Sequence, residues 1–273
     1  MTNNKQTETK FNSPLANHLS FAIALTAVGY LALSFLELIP LGKIIPPLLL
    51  FFSLGFVALG LMPFVLGLPN GRKSFTEYCR DIRLLPFQPL GRNILLGLLL
   101  AILTLSAILL SALVTGHFVL DWSLVPGVRW IKGLTRGIWE EVFFRGIILV
   151  LFLRYYPTRK ATAVFFSTFI FAIIHLGRLN LETLVDVVSI FFMGLLFTYV
   201  VLKTGSLLPA IIFHYVHDVF VLLVQNTPGA DKVPALALLY GFLWMALIIG
   251  ALLTKFVVER WPSASTGQSA SNR

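Results

Sequence analysis

Six ionisable side chains in the apolar part of the chain have the types and the spacing that hydrolytic chemistry requires. They lie in three separate stretches: Glu140, Glu141 and Arg145 in the first, His175 in the second, and His214 and Asp218 in the third. Carboxylates and imidazoles around trapped water can supply a general base, a group that positions the water and an electrophilic stabiliser. Glu140, His175, His214 and Asp218 could equally ligate a divalent metal such as zinc.

The first stretch places two carboxylates and a guanidinium in a segment that is otherwise typical of a membrane-spanning helix. Each charge at the bilayer centre costs about 2.5–3.5 kcal/mol on insertion scales. Glu141 and Arg145 are four positions apart, so a helix places them on one face, where they can pair. Glu140 points about 100° away from that face. The pair leaves Glu140 free, and we expect it to face a water-filled cavity.

Each of these groups alone also has a structural explanation. A lone histidine in a helix is more often a packing residue, and a Glu–Arg pair often joins helices. Asp186 lies near the start of a predicted helix, where a carboxylate favours the helix dipole, and we interpret it as structural. His217 lies on a neighbouring face to His214 and is a weaker candidate. The joint occurrence favours a shared site, because lipid does not solvate such groups and they must face one another or water.

The composition indicates a membrane protein. The chain has 273 residues, of which 57% are hydrophobic and only 12% are charged, and its mean hydropathy is +0.87. The net charge of +9 lies in short loops between apolar runs, as the positive-inside rule expects. Nucleic-acid binding is disfavoured, because no soluble domain carries a basic surface. Cys79 is the only cysteine, which excludes intramolecular disulfides and cysteine metal clusters.

Eight apolar spans are predicted to position the reactive groups. They cover about residues 19–39, 44–68, 93–115, 130–152, 161–176, 184–202, 207–224 and 234–254. Between the second and third spans, Phe75, Tyr78, Ile82 and Leu85 recur at helical spacing. This pattern predicts either an amphipathic helix at the membrane interface or a loop packed against the helix ends.

The spans predict an all-α polytopic membrane protein, with about eight transmembrane helices around an intramembrane polar cavity. Residues 19–260 form a single transmembrane domain, with a disordered cytoplasmic N-terminus (1–18) and a disordered tail (261–273). The first apolar run exceeds the usual length of a signal-peptide core and lacks a small-x-small cleavage site, so we expect it to be retained. The Lys/Arg-rich loops fall on one side, which predicts a multi-pass protein of the cell (plasma) membrane with both termini cytoplasmic.

Three motifs in this order resemble the signature of a known family. They are Glu140-Glu141-x-x-x-Arg145, Phe171-x-x-x-His175 and His214-x-x-x-Asp218, each on a separate predicted span. The set resembles that of the CPBP (ABI domain) intramembrane proteases, which include CAAX prenyl endopeptidases of the Rce type and bacteriocin-processing and immunity proteins. The resemblance covers about residues 130–220.

The resemblance implies eight transmembrane helices around a conical cavity open to water. It also implies an endopeptidase, glutamate-dependent or metal-dependent, acting near the C-terminus of a membrane-embedded or lipid-anchored substrate. Carried over by position, Glu140 would deprotonate the attacking water, which His175 would help to hold. His214 and the residue at 218 would stabilise the oxyanion. Glu141 and Arg145 would form a supporting ion pair, and Phe171 would be a packing residue.

Position 218 departs from one branch of that family. Prenyl proteases often carry asparagine there, whose amide can donate a hydrogen bond to an oxyanion, whereas an ionised Asp218 would repel one. Asp218 could be protonated, could orient His214 as a carboxylate–histidine pair, or could ligate a metal. We favour the first two roles.

Two other classes of function compete with peptide hydrolysis. A non-catalytic membrane scaffold or immunity protein could use the same fold without a reaction. A proton-coupled transporter could relay protons through the buried carboxylates and histidines. A transporter predicts paired repeats with broken helices in corresponding halves, and the sequence shows no internal repeat. The peptidase is therefore the leading hypothesis.

Overall fold

A computed structural model of the protein describes residues 13–38, 40–41, 43–63, 74–85, 89–115, 118–122, 127–176, 181–226 and 232–261. The predicted disorder of the two termini falls mainly on residues 1–12 and 262–273, which lie outside the described residues. The first helix begins at Ser13, so it includes the last residues of the segment that we expected to be disordered.

The described part of the chain is almost wholly helical. Ten α-helices follow one another: α1 Ser13–Ser34, α2 Ile45–Gly55, α3 Phe75–Asp81, α4 Leu90–Thr115, α5 Gly127–Glu141, α6 Leu149–Tyr155, α7 Lys160–Ile173, α8 Leu181–Thr204, α9 Leu208–Phe220 and α10 Lys232–Arg260. Short 3₁₀ turns, Phe35–Leu38 and Val221–Leu223, extend α1 and α9. Two π-helical segments occur: Phe56–Leu61 continues α2, and Val142–Ile148 joins α5 to α6. A helical segment therefore occupies each of the eight predicted spans.

A short antiparallel ribbon departs from the all-helical prediction. Strand β1 (Phe118–Leu120) pairs with β2 (Val224–Asn226), with Val119 opposite Gln225. Because α4 and α9 pack side by side, the segments that follow them emerge together, and pairing satisfies their backbone groups. The seventh span was predicted to continue to residue 224, and it ends as an α-helix at Phe220.

Three described helices are long and apolar enough to cross a membrane. They cover Leu90–Thr115, Leu184–Thr204 and Ala237–Arg260. Four shorter apolar helices accompany them: Ile23–Ser34, Ile45–Leu61, Lys160–Ile173 and Leu208–Phe220. With only a minority of charged residues in the whole chain, these helices indicate an integral membrane protein.

Helix α9 is held between α4 and α5 by close backbone approach. A Cβ atom at Gly137 of α5 would lie 2.9 Å from the backbone nitrogen of Tyr215. A Cβ atom at Gly97 of α4 would lie 2.7 Å from the carbonyl oxygen of Pro209. Glycine at these two positions therefore allows the backbone of α9 to approach α4 and α5 closely. This approach places His214 against the end of α5.

The segment between the second and third spans contains the helix α3, where the sequence left an interfacial helix and a packed loop open. A capping box opens the helix: the Ser74 hydroxyl accepts from the Glu77 amide, and the Glu77 carboxylate accepts from the Ser74 amide. Phe75 faces outward while Tyr78, Cys79 and Ile82 are buried. The Tyr78 hydroxyl donates to the carbonyl of Ala58 at 2.6 Å. The segment is thus a helix packed against the bundle, and this burial raises the pKa of the Cys79 thiol.

Candidate active site

The end of α5 and the π-helical segment after it carry the buried ion pair that the spacing predicted. Arg145 Nη1 lies 3.0 Å from Glu141 Oε1, and both side chains are fully buried. The guanidinium lies over the ring of Phe171, 3.9 Å from its centroid, and Nη2 donates to the carbonyl of Gly194 at 3.4 Å. The predicted pairing is confirmed. Phe171 packs as expected and also covers the cation.

His214 connects this ion pair to Glu140. Its Nδ1 lies 2.9 Å from Glu141 Oε1, and its ring stacks on Phe197 with centroids 5.1 Å apart. Because Glu141 is paired with Arg145, its carboxylate accepts and Nδ1–H donates. Nε2 is then the reactive nitrogen. It lies 3.8 Å from Glu140 Oε2 and 3.7 Å from Asp218 Oδ1.

The side chain of His175 faces the same oxygen of Glu140. It lies in the turn just after α7, which ends at Ile173, earlier than the predicted limit of residue 176. Its Nδ1 lies 2.7 Å from the carbonyl oxygen of Phe171. A carbonyl only accepts, so Nδ1 carries the proton and a neutral ring presents a free Nε2 lone pair. That Nε2 lies 3.7 Å from Glu140 Oε2.

The two oxygens of Glu140 have different surroundings. Oε1 accepts a hydrogen bond of 2.6 Å from the hydroxyl of Tyr30. Oε2 is buried and has no hydrogen-bond partner among the described residues. It is also the oxygen that both histidine Nε2 atoms face. A buried carboxylate oxygen without a partner indicates a site for water, and the position between Oε2 and the two Nε2 atoms suits one water molecule.

The same side chains do not fit a metal ion as they are arranged. Among the residues that the structure describes, no group of three or more His, Cys, Asp or Glu is arranged to hold one. The separations of 3.7 and 3.8 Å between Glu140 Oε2 and the histidine nitrogens suit a water molecule, which would lie about 2.8 Å from each atom. The arrangement therefore supports chemistry that uses water.

A cavity of about 370 Å³ opens beside the site, between α4, α8 and α10. His175 and His217 line it, together with Asp186 and Tyr240, which are hydrogen-bonded to each other. His217 is thus turned toward the cavity, and its Nδ1 lies 3.4 Å from Thr104 Oγ1. The cavity joins the exposed edge of His175 to open space, so a substrate could approach Glu140 from this side.

Two contacts of the site were not predicted. Tyr30 was missed because a tyrosine in an apolar helix is an ordinary interfacial or packing residue, and nothing in the sequence links it to a glutamate 110 positions away. Asp218, four residues along the same helix, was one partner that the sequence suggested for His214. The hydrogen-bonded carboxylate is Glu141, because α9 crosses the end of α5 at this point.

The geometry can support water-dependent acid–base chemistry. One carboxylate oxygen is free to take a proton, and two oriented imidazoles surround the place where water would be held. Asp218, with a partly exposed side chain, borders the same position. A general base and polar groups aimed at one point are the components of a hydrolytic site.

Comparison with known proteins agrees with the resemblance of the three motifs. Residues 122–220 match the family described as type II CAAX prenyl endopeptidase, Rce1-like. No curated protein and no solved structure matches the chain. The matched region contains Glu140, His175, His214 and Asp218 but not Tyr30. The chain therefore carries, over residues 122–220, a domain of the Rce1-like family of type II CAAX prenyl endopeptidases.

Proposed function

We propose that the protein is an intramembrane endopeptidase that hydrolyses a peptide bond of a membrane-embedded or lipid-anchored substrate, with water activated by Glu140. One observation carries the proposal: the Nε2 atoms of His175 and His214 each lie within 3.8 Å of Glu140 Oε2. Their convergence on a buried oxygen without a hydrogen-bond partner provides a place for the attacking water.

The first step is deprotonation of that water. A water molecule held by His175 Nε2 and Glu140 Oε2 gives a proton to Oε2 as its oxygen attacks the carbonyl carbon of the peptide bond. The attack forms a tetrahedral intermediate with a negatively charged oxygen. Glu140, now protonated, returns the proton to the departing amine as the carbon–nitrogen bond breaks. The carboxylate is thereby restored for the next cycle.

The second requirement is a donor for the negative oxygen of the intermediate. His214 donates through Nε2–H when its ring carries both protons, since Nδ1–H is already engaged by Glu141. Asp218 Oδ1, 3.7 Å from that Nε2, helps to orient the His214 ring as a carboxylate–histidine pair. Losing a donor to the negative oxygen typically costs about 10²–10³ in kcat. Glu141 and Arg145 hold the His214 ring in position.

The proposed setting of this chemistry is a bundle of eight transmembrane helices, in which residues 19–260 form a single domain. Eight crossings place both termini on one side, and the basic loops make that side cytoplasmic. The cavity beside His175 admits the substrate chain.

The test uses the purified full chain in lipid nanodiscs. The probe is a quenched fluorescent peptide ending in a farnesylated Cys-aliphatic-aliphatic-X sequence, with the unmodified peptide run in parallel. We expect cleavage by the wild type and a loss of about 10²–10⁴ in kcat for Glu140→Gln, with unchanged yield of folded protein. Because the site does not fit a metal ion, 1,10-phenanthroline should leave cleavage unchanged. Cleavage by Glu140→Gln at the wild-type rate would overturn the role of this carboxylate.

A further inference from the structure

Tyr30 brings a residue from outside the matched family region into contact with the proposed base. It lies on α1, whereas the family match begins at residue 122. Its hydroxyl donates to Glu140 Oε1 at 2.6 Å, and the side chain is buried, with 6% of its surface exposed. The ring meets Phe143 and Phe144 edge to face, with centroids 5.8 and 5.6 Å away. Aromatic contacts on the π-helical segment thus fix the ring while its hydroxyl reaches the carboxylate.

The hydrogen bond gives the two oxygens of Glu140 different tasks. A phenol that donates to a carboxylate makes a charge-assisted bond, roughly twice as strong as a neutral one. This bond occupies Oε1 and stops the carboxylate from rotating. Oε2 is left as the oxygen that faces His175 and His214. Without the phenol, the carboxylate could turn and exchange its oxygens.

We propose that Tyr30 is a positioning residue of the active site, which holds Glu140 so that Oε2 receives the proton of the attacking water. The proposal rests on the proposed function. It also gives α1 an indirect part in the reaction, although α1 carries none of the three motifs. Tyr30 touches neither water nor substrate in this scheme, and it acts only through Glu140.

The competing explanation is that a buried tyrosine needs some hydrogen-bond partner and that Glu140 happens to provide it. In that case the hydroxyl would contribute to stability alone. The chain offers a closely matched control in Tyr78. Its side chain is also 6% exposed, and its hydroxyl also donates over 2.6 Å, but to the backbone carbonyl of Ala58. Tyr78→Phe therefore removes an equally buried hydroxyl away from Glu140.

The experiment compares Tyr30→Phe with Tyr78→Phe in the nanodisc assay with the farnesylated peptide. We expect Tyr30→Phe to lower kcat by about 10–100-fold, the range found for groups that orient ligand side chains in metal sites. KM should stay at the wild-type value, because the substrate is not touched. Tyr78→Phe should leave both constants unchanged. An equal kcat in Tyr30→Phe and wild type, or equal losses in the two variants, would overturn the proposal.

If Tyr30→Phe does not fold, a second variant tests the positioning role of Tyr30. Incorporation of 3-fluorotyrosine at position 30 keeps the ring and the hydroxyl but makes the phenol a stronger acid. A positioning role predicts a change in kcat at constant KM, and a purely structural role predicts none. The two proposals fail differently: a wild-type chain that cleaves no peptide removes the proposed function, whereas active Tyr30 variants remove only the role of Tyr30.

Discussion

Glu140 and Glu141 are adjacent in the sequence, and both are buried, but they have different partners. Glu141 uses one oxygen for both Arg145 and His214, so its charge is balanced by a guanidinium. Glu140 contacts a phenol on one side and leaves its other oxygen free. The helical angle between consecutive residues produces this separation. One glutamate can therefore stabilise the fold while its neighbour takes part in the reaction.

Replacing Glu141 should destabilise the protein far more than replacing an exposed carboxylate. Glu141→Ala leaves Arg145 buried without its partner, which costs about 3–5 kcal/mol for a buried pair. The measurement is the free energy of unfolding in mixed micelles. Glu259→Ala is the control, because it also breaks an i,i+4 pair, with Lys255, in which both side chains are more than half exposed. That loss should stay within about 1 kcal/mol.

Equal losses of stability in Glu141→Ala and Glu259→Ala would contradict the buried ion pair. The two pairs share a spacing of four residues, and they differ in burial, in the identity of the cation and in the order of the two charges. The catalytic rate is a separate readout. It should also fall in Glu141→Ala, because His214 loses the carboxylate that orients its ring.

The sequence predicts contacts within one helix better than contacts between helices. The pair of Glu141 and Arg145 follows from a spacing of four residues, and the structure confirms it. The bond from His214 to Glu141 joins residues 73 positions apart and depends on where two helices cross. The three motifs indicated that these residues share a site, because lipid does not solvate them. They did not indicate which atoms face one another.

Helix α9 carries two site residues, and its position depends on glycine residues in the helices beside it. Gly137 faces the backbone of Tyr215, the residue after His214, and a methyl group there would lie 2.9–3.0 Å from Tyr215 backbone and Cβ atoms. Neither backbone can yield without moving a helix. Small residues at such contacts are what allow membrane helices to approach closely.

Gly137→Ala should therefore damage both stability and activity. The added methyl group overpacks the crossing of α5 and α9, which costs about 1–3 kcal/mol, and it moves His214 away from Glu140. Gly241→Ala on α10 is the control, because a Cβ atom there meets nothing within 4 Å. The control should be neutral or more stable by up to about 1 kcal/mol, as alanine favours helix. Matching behaviour of the two variants in unfolding and cleavage assays would contradict the close crossing.

Hydropathy located the helices but not their ends or their internal irregularities. All eight predicted spans contain helix, since each is an apolar run. The π-helical segment Val142–Ile148 was not predicted, because its residues are as apolar as a regular helix requires. The early end of α7 at Ile173 was not predicted either. Because α7 ends at Ile173, His175 lies in a turn, and from there its side chain reaches Glu140.

At the scale of the whole molecule, the site is assembled by helices far apart in the chain. Glu140 comes from α5, His175 from the turn after α7 and His214 from α9, while Tyr30 comes from α1. The family match covers the first three and not the fourth. Composition and loop charge predicted a membrane protein. The order of the motifs predicted which helices meet. The contribution of α1 could be recognised only from the structure.

The single cysteine provides a test of how α3 is packed against the rest of the bundle. Cys79 is 3% exposed, and burial raises the pKa of its thiol above the usual value. Reaction with N-ethylmaleimide requires the thiolate and access to it. Burial of Cys79 disfavours the thiolate and keeps the reagent away from the sulfur. Native protein in nanodiscs at pH 8 should therefore remain unmodified in mass spectra over times that fully label a short cysteine peptide. In sodium dodecyl sulfate the same thiol should react completely.

This outcome depends on α3 being held by the hydrogen bond of Tyr78 to Ala58 and by that of Leu207 N–H to the Arg83 carbonyl. Tyr78→Phe loosens the first contact and should speed labelling of Cys79 without altering cleavage. Phe75→Ala is the comparison, because Phe75 faces outward from the same helix and its loss should leave labelling slow. Fast labelling of the wild-type chain would show α3 to be detached. The buried surfaces of Tyr78 and Ile82 would then have to be reassigned to the membrane interface.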